Sequence, residues 1–183
     1  MPLRTAKRKR ATRTRRESSA DLHPHPAVSI PVSDQLHILM QVLVAMFLGG
    51  LVGWEREAAG KFAGLRTHML MAVSAMLFVG MGQLIVHDAG GSGHGDPVRA
   101  IEAIATGVAF IGAGTIFRDR TQQAKGLTTA ASLLVTSSIG IAVALDGYVI
   151  AVGVTIICLI ILRMVAWVEK KLSPDNSAGG KAT

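Results

Sequence analysis

The chain's apolar residues are gathered into five long runs, and its polar residues into the short gaps between them. The first run, residues 36–54, carries no Asp, Glu, Lys or Arg. Coiled as an α-helix it rises about 28 Å, close to the thickness of a bilayer's hydrocarbon core. Further runs cover residues 67–86, 101–117, 127–145 and 148–168. The third is the shortest and holds Glu102 near its start. Runs of this length in close succession predict an all-α fold, a polytopic transmembrane helix bundle of about five spans.

The gaps supply turn and cap signals. Residues 55–66 are charged and punctuated by glycine. Residues 87–100 contain Gly90-Gly91-Ser92-Gly93-His94-Gly95, which reads as a flexible loop. Asp96-Pro97 then reads as a helix start, with Asp as N-cap and Pro in the first helical position. Residues 118–126 carry Arg118, Asp119, Arg120 and Lys125. Only Asp146-Gly147 separate the last two runs, so these form an antiparallel hairpin whose turn uses the freedom of Gly147 to adopt a positive φ. The organisation is therefore a basic arm (residues 1–35), a transmembrane domain (residues 36–170) and a short polar tail (residues 171–183). The arm has no helical or strand periodicity, and its like charges with low hydrophobicity predict disorder. Its first apolar run begins twenty residues beyond Arg16, which excludes a cleaved signal peptide.

Composition agrees with a membrane protein. Half of the residues are hydrophobic and only 4% aromatic, and the mean hydropathy is +0.43. A net charge of +7 would suit nucleic acid. The distribution argues otherwise: eight of the nineteen Lys and Arg lie between Arg4 and Arg16, and most others sit in the gaps. No nucleic-acid partner is expected; the lipid bilayer is. The first gap holds Arg56, Lys61 and Arg66, the third Arg118, Arg120 and Lys125, and the tail Lys170, Lys171 and Lys181. The second holds only Arg99 and the fourth none. The positive-inside rule then places the first and third gaps and the C-terminus in the cytoplasm, with the arm outside despite its charge. The single cysteine, Cys158, lies in the last run, where no intrachain disulfide or Cys-rich metal site can form.

Small residues recur at every fourth position: Gln41, Ala45, Gly49 and Gly53; Ala105, Ala109 and Ala113; Thr128, Ser132, Thr136, Gly140 and Ala144. Such stripes let helix backbones approach in lipid. Alternatively, the hydroxyls of the fourth run line a polar path. Charge at membrane depth is more informative, because such groups must pair or face water. Glu55, Arg56 and Glu57, Arg66, and Arg118 with Asp119 share one predicted face. They read either as interface anchors or as one cluster, with salt bridges among Glu55, Arg66, Arg118 and Asp119, that takes a cation or a partner. Glu102, near the opposite face, is either hydrated at headgroup level or a proton or cation ligand. Mg²⁺ takes oxygen ligands, but the spacing of Glu55, Glu57, Glu102 and Asp119 specifies no site, so the metal is left open. His68 reads as an interface residue, and Arg163 as one that snorkels to the headgroups. No Walker A loop, nucleophile elbow or H-E-x-x-H pair occurs, so neither catalysis nor a cofactor is expected.

Several segments resemble the MgtC/SapB family. They are Gly49-Gly50-Leu51-Val52-Gly53-Trp54-Glu55-Arg56-Glu57, Gly60-Lys61, Ala63-Gly64-Leu65-Arg66-Thr67-His68, Asp96-Pro97-Val98-Arg99, Gly107-Val108-Ala109-Phe110-Ile111-Gly112-Ala113-Gly114, and Gly126-Leu127-Thr128-Thr129-Ala130-Ala131-Ser132. The likeness covers about residues 36–170. It implies a bacterial inner-membrane protein of about five spans, linked to growth in low Mg²⁺, acid tolerance and, in pathogens, virulence. Older naming of the family implies Mg²⁺ transport. The likeness also implies action on partner membrane proteins, among them the F-type ATP synthase, and a homo-oligomer would be needed for any transport path. Many members carry a soluble C-terminal domain, for which the tail here is too short. Carried over by position, the candidate cluster is Glu55, Arg56, Glu57, Lys61, Arg66 and Arg118 with Asp96 and Arg99, joined by Thr128 and Thr129 at the start of the fourth span. Glu102 stands where the family pattern leads one to expect a neutral polar residue, and is added on its charge alone.

Overall fold

Each predicted run forms one helix. The structure, a computed structural model, describes residues 30–88, 97–118 and 124–172. The helices are α1 (Val32–Ala58), α2 (Leu65–Asp88), α3 (Pro97–Gly114), α4 (Leu127–Ala144) and α5 (Tyr148–Leu172). Between α3 and α4, β1 (Phe117–Arg118) pairs antiparallel with β2 (Ala124–Lys125), a small pairing that the sequence reading of this gap lacks. Among the described residues, three helices are long and apolar enough to cross a membrane: α1, residues Leu65–Val86 of α2, and α4. The apolar part of α5 runs over Tyr148–Met164, and the 18 residues of α3 rise about 27 Å. Most of the arm, the glycine loop with Asp96, Asp119 and the tail from residue 173 lie outside the described residues.

Helix α1 extends four residues past the predicted end at Trp54, because its stop signal lies later. Gly60 adopts φ +63°. Its N–H donates to the Glu57 carbonyl and that of Lys61 to the Arg56 carbonyl, each at 3.0 Å. This is a Schellman cap, which needs a left-handed residue after the helix. Glu55, Arg56 and Glu57 therefore belong to the last helical turns and not to the gap. The α4–α5 turn closes in the same way: Gly147 N–H donates to the Ala142 carbonyl at 2.8 Å and Asp146 N–H to Val143 at 3.0 Å. Here the left-handed residue is Asp146, φ +56°, and not Gly147 as the sequence predicts. Asp tolerates this region, and its side chain has work to do there.

Small residues set the packing. A methyl at Gly49 would stand 2.8 Å from both Ala72 Cβ and the His68 carbonyl oxygen, and one at Gly53 2.7 Å from Leu65 Cα. At Gly140 it would strike the Ala72 carbonyl. Ala72, fully buried, is thus the point where α2 is gripped by α1 on one side and α4 on the other. The core around it is formed by Ala45, Val52, Met76, Val79, Ile139 and Val143. The predicted stripes on α1 and α4 face this core; only Thr128 of the α4 stripe is exposed. The stripe on α3 does not: Ala105, Ala109 and Ala113 face outward. Helix α3 touches the bundle through Val108, packed with Leu133 and Ala63, and through Gly112 against Ala130. Large apolar side chains such as Phe47, Phe110, Val149 and Ile161 cover the outside, as hydrocarbon solvent requires.

Candidate functional site

Polar side chains inside the bundle gather at two levels. The first lies toward the end that carries the α1–α2 loop, the β pairing and the C-terminal end of α5, called here the basic end. With the last turns of α1 intact, Glu55 and Arg56 point into the bundle. Arg56 is only 2% exposed. Its Nε donates to Glu55 Oε2 at 2.6 Å, while its Nη1 is buried with no hydrogen-bond partner among the described residues. Desolvating such a pair costs several kcal/mol per ion, about as much as the attraction returns.

His68, fully buried on α2, lies within electrostatic reach of both. Its Nδ1 stands 2.9 Å from the Gly64 carbonyl, which only accepts, so Nδ1 carries a proton. Its Nε2 stands 3.1 Å from Ser132 Oγ on α4. In the neutral ring Nε2 accepts from the Ser132 hydroxyl. A second ring proton would reverse that bond and turn the hydroxyl onto the Thr129 carbonyl, 2.8 Å away. His68 is therefore a core residue that links three helices, where the sequence reading has it at the interface. The hydroxyls of α4 do not form an open path. Thr136 donates to the Ser132 carbonyl at 2.8 Å and Ser137 to Leu133 at 3.2 Å.

The rest of the predicted cluster is dispersed. Glu57 is exposed and accepts the Leu65 N–H at 2.9 Å, closing the first turn of α2. Lys61, Arg66 and Arg118 are exposed, and none makes an ion pair among the described residues. The expected salt bridges among Glu55, Arg66 and Arg118 are replaced by the pair within α1, because the helix turns Glu55 inward. Phe62 and Phe117 meet edge to face with centroids 5.0 Å apart, tying the α1–α2 loop to β1. Thr129 is buried beneath this end, while Thr128 is exposed. Arg99 and Glu102 lie exposed on α3, toward the opposite end, and Asp96 falls outside the described residues.

That far end holds a constellation that the sequence reading lacks. Gln41 Nε2 donates to Asp146 Oδ1 at 2.9 Å and to the Val143 carbonyl at 3.2 Å. Tyr148 donates to the same Oδ1 at 3.0 Å, and His37 Nε2 lies 3.2 Å from it. Burial pushes the Asp146 carboxyl up, but the bonds from Tyr148 and Gln41 and the charge of His37 outweigh it and hold it below the usual carboxylate value. Asp34, Gln83 and Leu84 complete a cavity of about 450 Å³. Between the two levels lies a dry layer of Val52, Met76, Val79, Ile139 and Val143, each at most 2% exposed. Its only polar side chains among the described buried residues are the hydroxyls of Thr136, Ser137 and Thr155, each donating to a backbone carbonyl of its own helix. Among the described residues no three His, Cys, Asp or Glu side chains gather to hold a metal ion.

Apolar helices of this length, closed around a dry core with the charged residues near its ends, define a polytopic α-helical membrane protein. The chain belongs to the MgtC family, whose model matches residues 42–171. It is 35% identical over 143 residues to YhiD of Escherichia coli (strain K12), named as a candidate magnesium transporter, a match that covers 75% of this chain and 65% of that one. Protein MgtC of Brucella abortus (strain 2308) is 40% identical over 97 residues, 53% of this chain and 38% of the relative. Protein SrpB of Synechococcus elongatus is 28% identical over 172 residues, 81% of this chain and 94% of the relative. The match to YhiD thus spans just under two thirds of that relative's length, and the match to MgtC less than half. No solved structure matches the chain.

Proposed function

We propose that this protein is a non-catalytic regulator in the bacterial inner membrane, serving adaptation to Mg²⁺ limitation or acid stress by acting on partner membrane proteins. The F-type ATP synthase is the partner class that the family resemblance implies. The observation that carries the reading is the dry layer. Val52, Met76, Val79, Ile139 and Val143 separate the polar groups of the two ends, and the α4 hydroxyls beside the layer are spent on backbone carbonyls. An ion would have to shed its hydration there for the hydroxyl oxygens of Thr136, Ser137 and Thr155 alone, too few to replace a hydration shell, at a cost of several kcal/mol or more. In this reading the basic end and the C-terminus face the cytoplasm.

The test is reconstitution. Purified protein in liposomes is expected to pass neither Mg²⁺ nor protons, and affinity-tagged protein from cells grown in low Mg²⁺ to retain a membrane partner. Flux above that of empty liposomes would overturn the reading. A second reading, a Mg²⁺ or proton transporter, is favoured by the name given to YhiD and by Glu102, an exposed carboxylate on α3. It requires flux that Glu102→Gln abolishes.

A further inference from the structure

Helices α2 and α3 are not closed against each other. Because α3 is fastened to α4 through Gly112 and Ala130, a groove of about 720 Å³ remains between α2 and α3. Its walls are Leu70 and Phe78 on one side and Ile104, Val108 and Ile111 on the other. Gly107, exposed on α3, also lines it, and an added methyl there would meet nothing within 4 Å. The volume falls in the range of about 300–1,000 Å³ of cavities that bury a small ligand. At its mouth stand Arg66, exposed and without an ion pair among the described residues, and Thr67. The neighbouring acid, Glu57, is committed to the Leu65 N–H.

We propose that this groove binds one anionic phospholipid from the leaflet at the basic end, its phosphate on Arg66 and one acyl chain between α2 and α3. Length and charge together select this occupant. From Arg66 to Phe78 the groove follows α2 for about 18 Å, little more than half of the roughly 30 Å hydrocarbon thickness. That is the reach of one leaflet's acyl chain, whereas a helix of a second copy would need a groove through both. An arginine fork at headgroup level suits a phosphate, which accepts two parallel N–H bonds. An acyl chain also supplies the dispersion contacts that the two helices withhold from each other. The inference is independent of whether the protein regulates or transports.

The experiment is native mass spectrometry of the full chain released from detergent, titrated with phosphatidylglycerol and phosphatidylethanolamine of identical acyl chains. One phosphatidylglycerol is expected to be retained at lower lipid concentration than phosphatidylethanolamine. Arg66→Gln should weaken phosphatidylglycerol about fivefold, the worth of one basic residue at a lipid surface, and phosphatidylethanolamine, whose ammonium offsets its phosphate charge, by less. Gly107→Leu on α3 and, separately, Ser74→Leu on α2 should reduce retention of both lipids by filling the groove. Thermal melting identifies which of the two remains folded. Equal retention of the two lipids, indifference to Arg66→Gln, or undiminished binding in a folded groove-filling variant would each overturn the proposal. So would a dimer of the chain that disappears in the groove-filling variants, since the occupant would then be a second copy.

Discussion

A single helical turn decides the fate of the charged residues after Trp54. In sequence, Glu55-Arg56-Glu57 is a polar tripeptide after an apolar run and reads as interface. The Schellman cap at Gly60 keeps it helical, and the 100° step between successive residues sends Glu55 and Arg56 inward and Glu57 out. The Ala-Ala-Gly sequence that forms the cap was visible, but the chemistry it implies depends on where the helix stops. His68 and Asp146 were less legible still. The bonds of Asp146 reach His37 and Gln41 across 109 and 105 residues, a separation over which local pattern carries no information. Two predictions belong at this scale. Glu55→Ala leaves the Arg56 guanidinium buried without its partner and should cost about 3–5 kcal/mol. Adding Arg56→Leu should recover most of that loss, and denaturant unfolding in detergent checks both. Asp146, held below its ordinary value, stabilises the fold above that value and ceases to do so as pH falls through the lowered one. Thermal melting should therefore show a modest loss below about pH 4 that Asp146→Asn removes. The side chain is 60% exposed, so the effect is screened and small.

Helices report how closely they pack through the size of the residues between them. The stripes on α1 and α4 were readable as packing surfaces, and Ala72 is where both close on α2. The matching stripe on α3 carries the same sequence signal yet faces outward, because spacing shows that a helix can be approached and not by what. Gly140→Ala forces a methyl onto the Ala72 carbonyl and should destabilise by about 1–3 kcal/mol. Gly107→Ala, where the methyl meets nothing, should be neutral or stabilise by up to about 1 kcal/mol through helix propensity. If both changed stability alike, the distinction between the gripped and the open helix surface would fail. The same asymmetry orders local opening. Among the described residues of α3 only Val108 and Gly112 are buried, while α2 is held by α1 and α4 together. Amide hydrogen exchange in nanodiscs should release α3 before α2.

For the whole molecule, one physical fact organises the rest: the exterior that would be a liability in water is the surface that lipid requires. Phe47, Phe110, Val149 and Ile161 are exposed, while Arg56, His68 and Thr136 are fully or almost fully buried, the inverse of a soluble domain. This inversion was legible from the length of the apolar runs, a property that sums over many residues; the Lys and Arg counts add an expected sidedness, which labelling tests. The lone cysteine makes them measurable together. Cys158 is buried on α5, so a membrane-impermeant maleimide should not label the native protein in closed vesicles from either side. In a Cys158→Ser background, Lys61→Cys at the basic end and Leu145→Cys in the α4–α5 turn place thiols at exposed positions beyond opposite ends of the dry layer. Each should label from one side only, and the two sides should differ, with Lys61→Cys reached from the cytoplasmic face. Labelling of both from the same side would mean that the helices do not cross the bilayer as the hydrocarbon argument demands. Labelling from opposite sides, with Leu145→Cys cytoplasmic, would keep the bundle and invert the charge-based orientation.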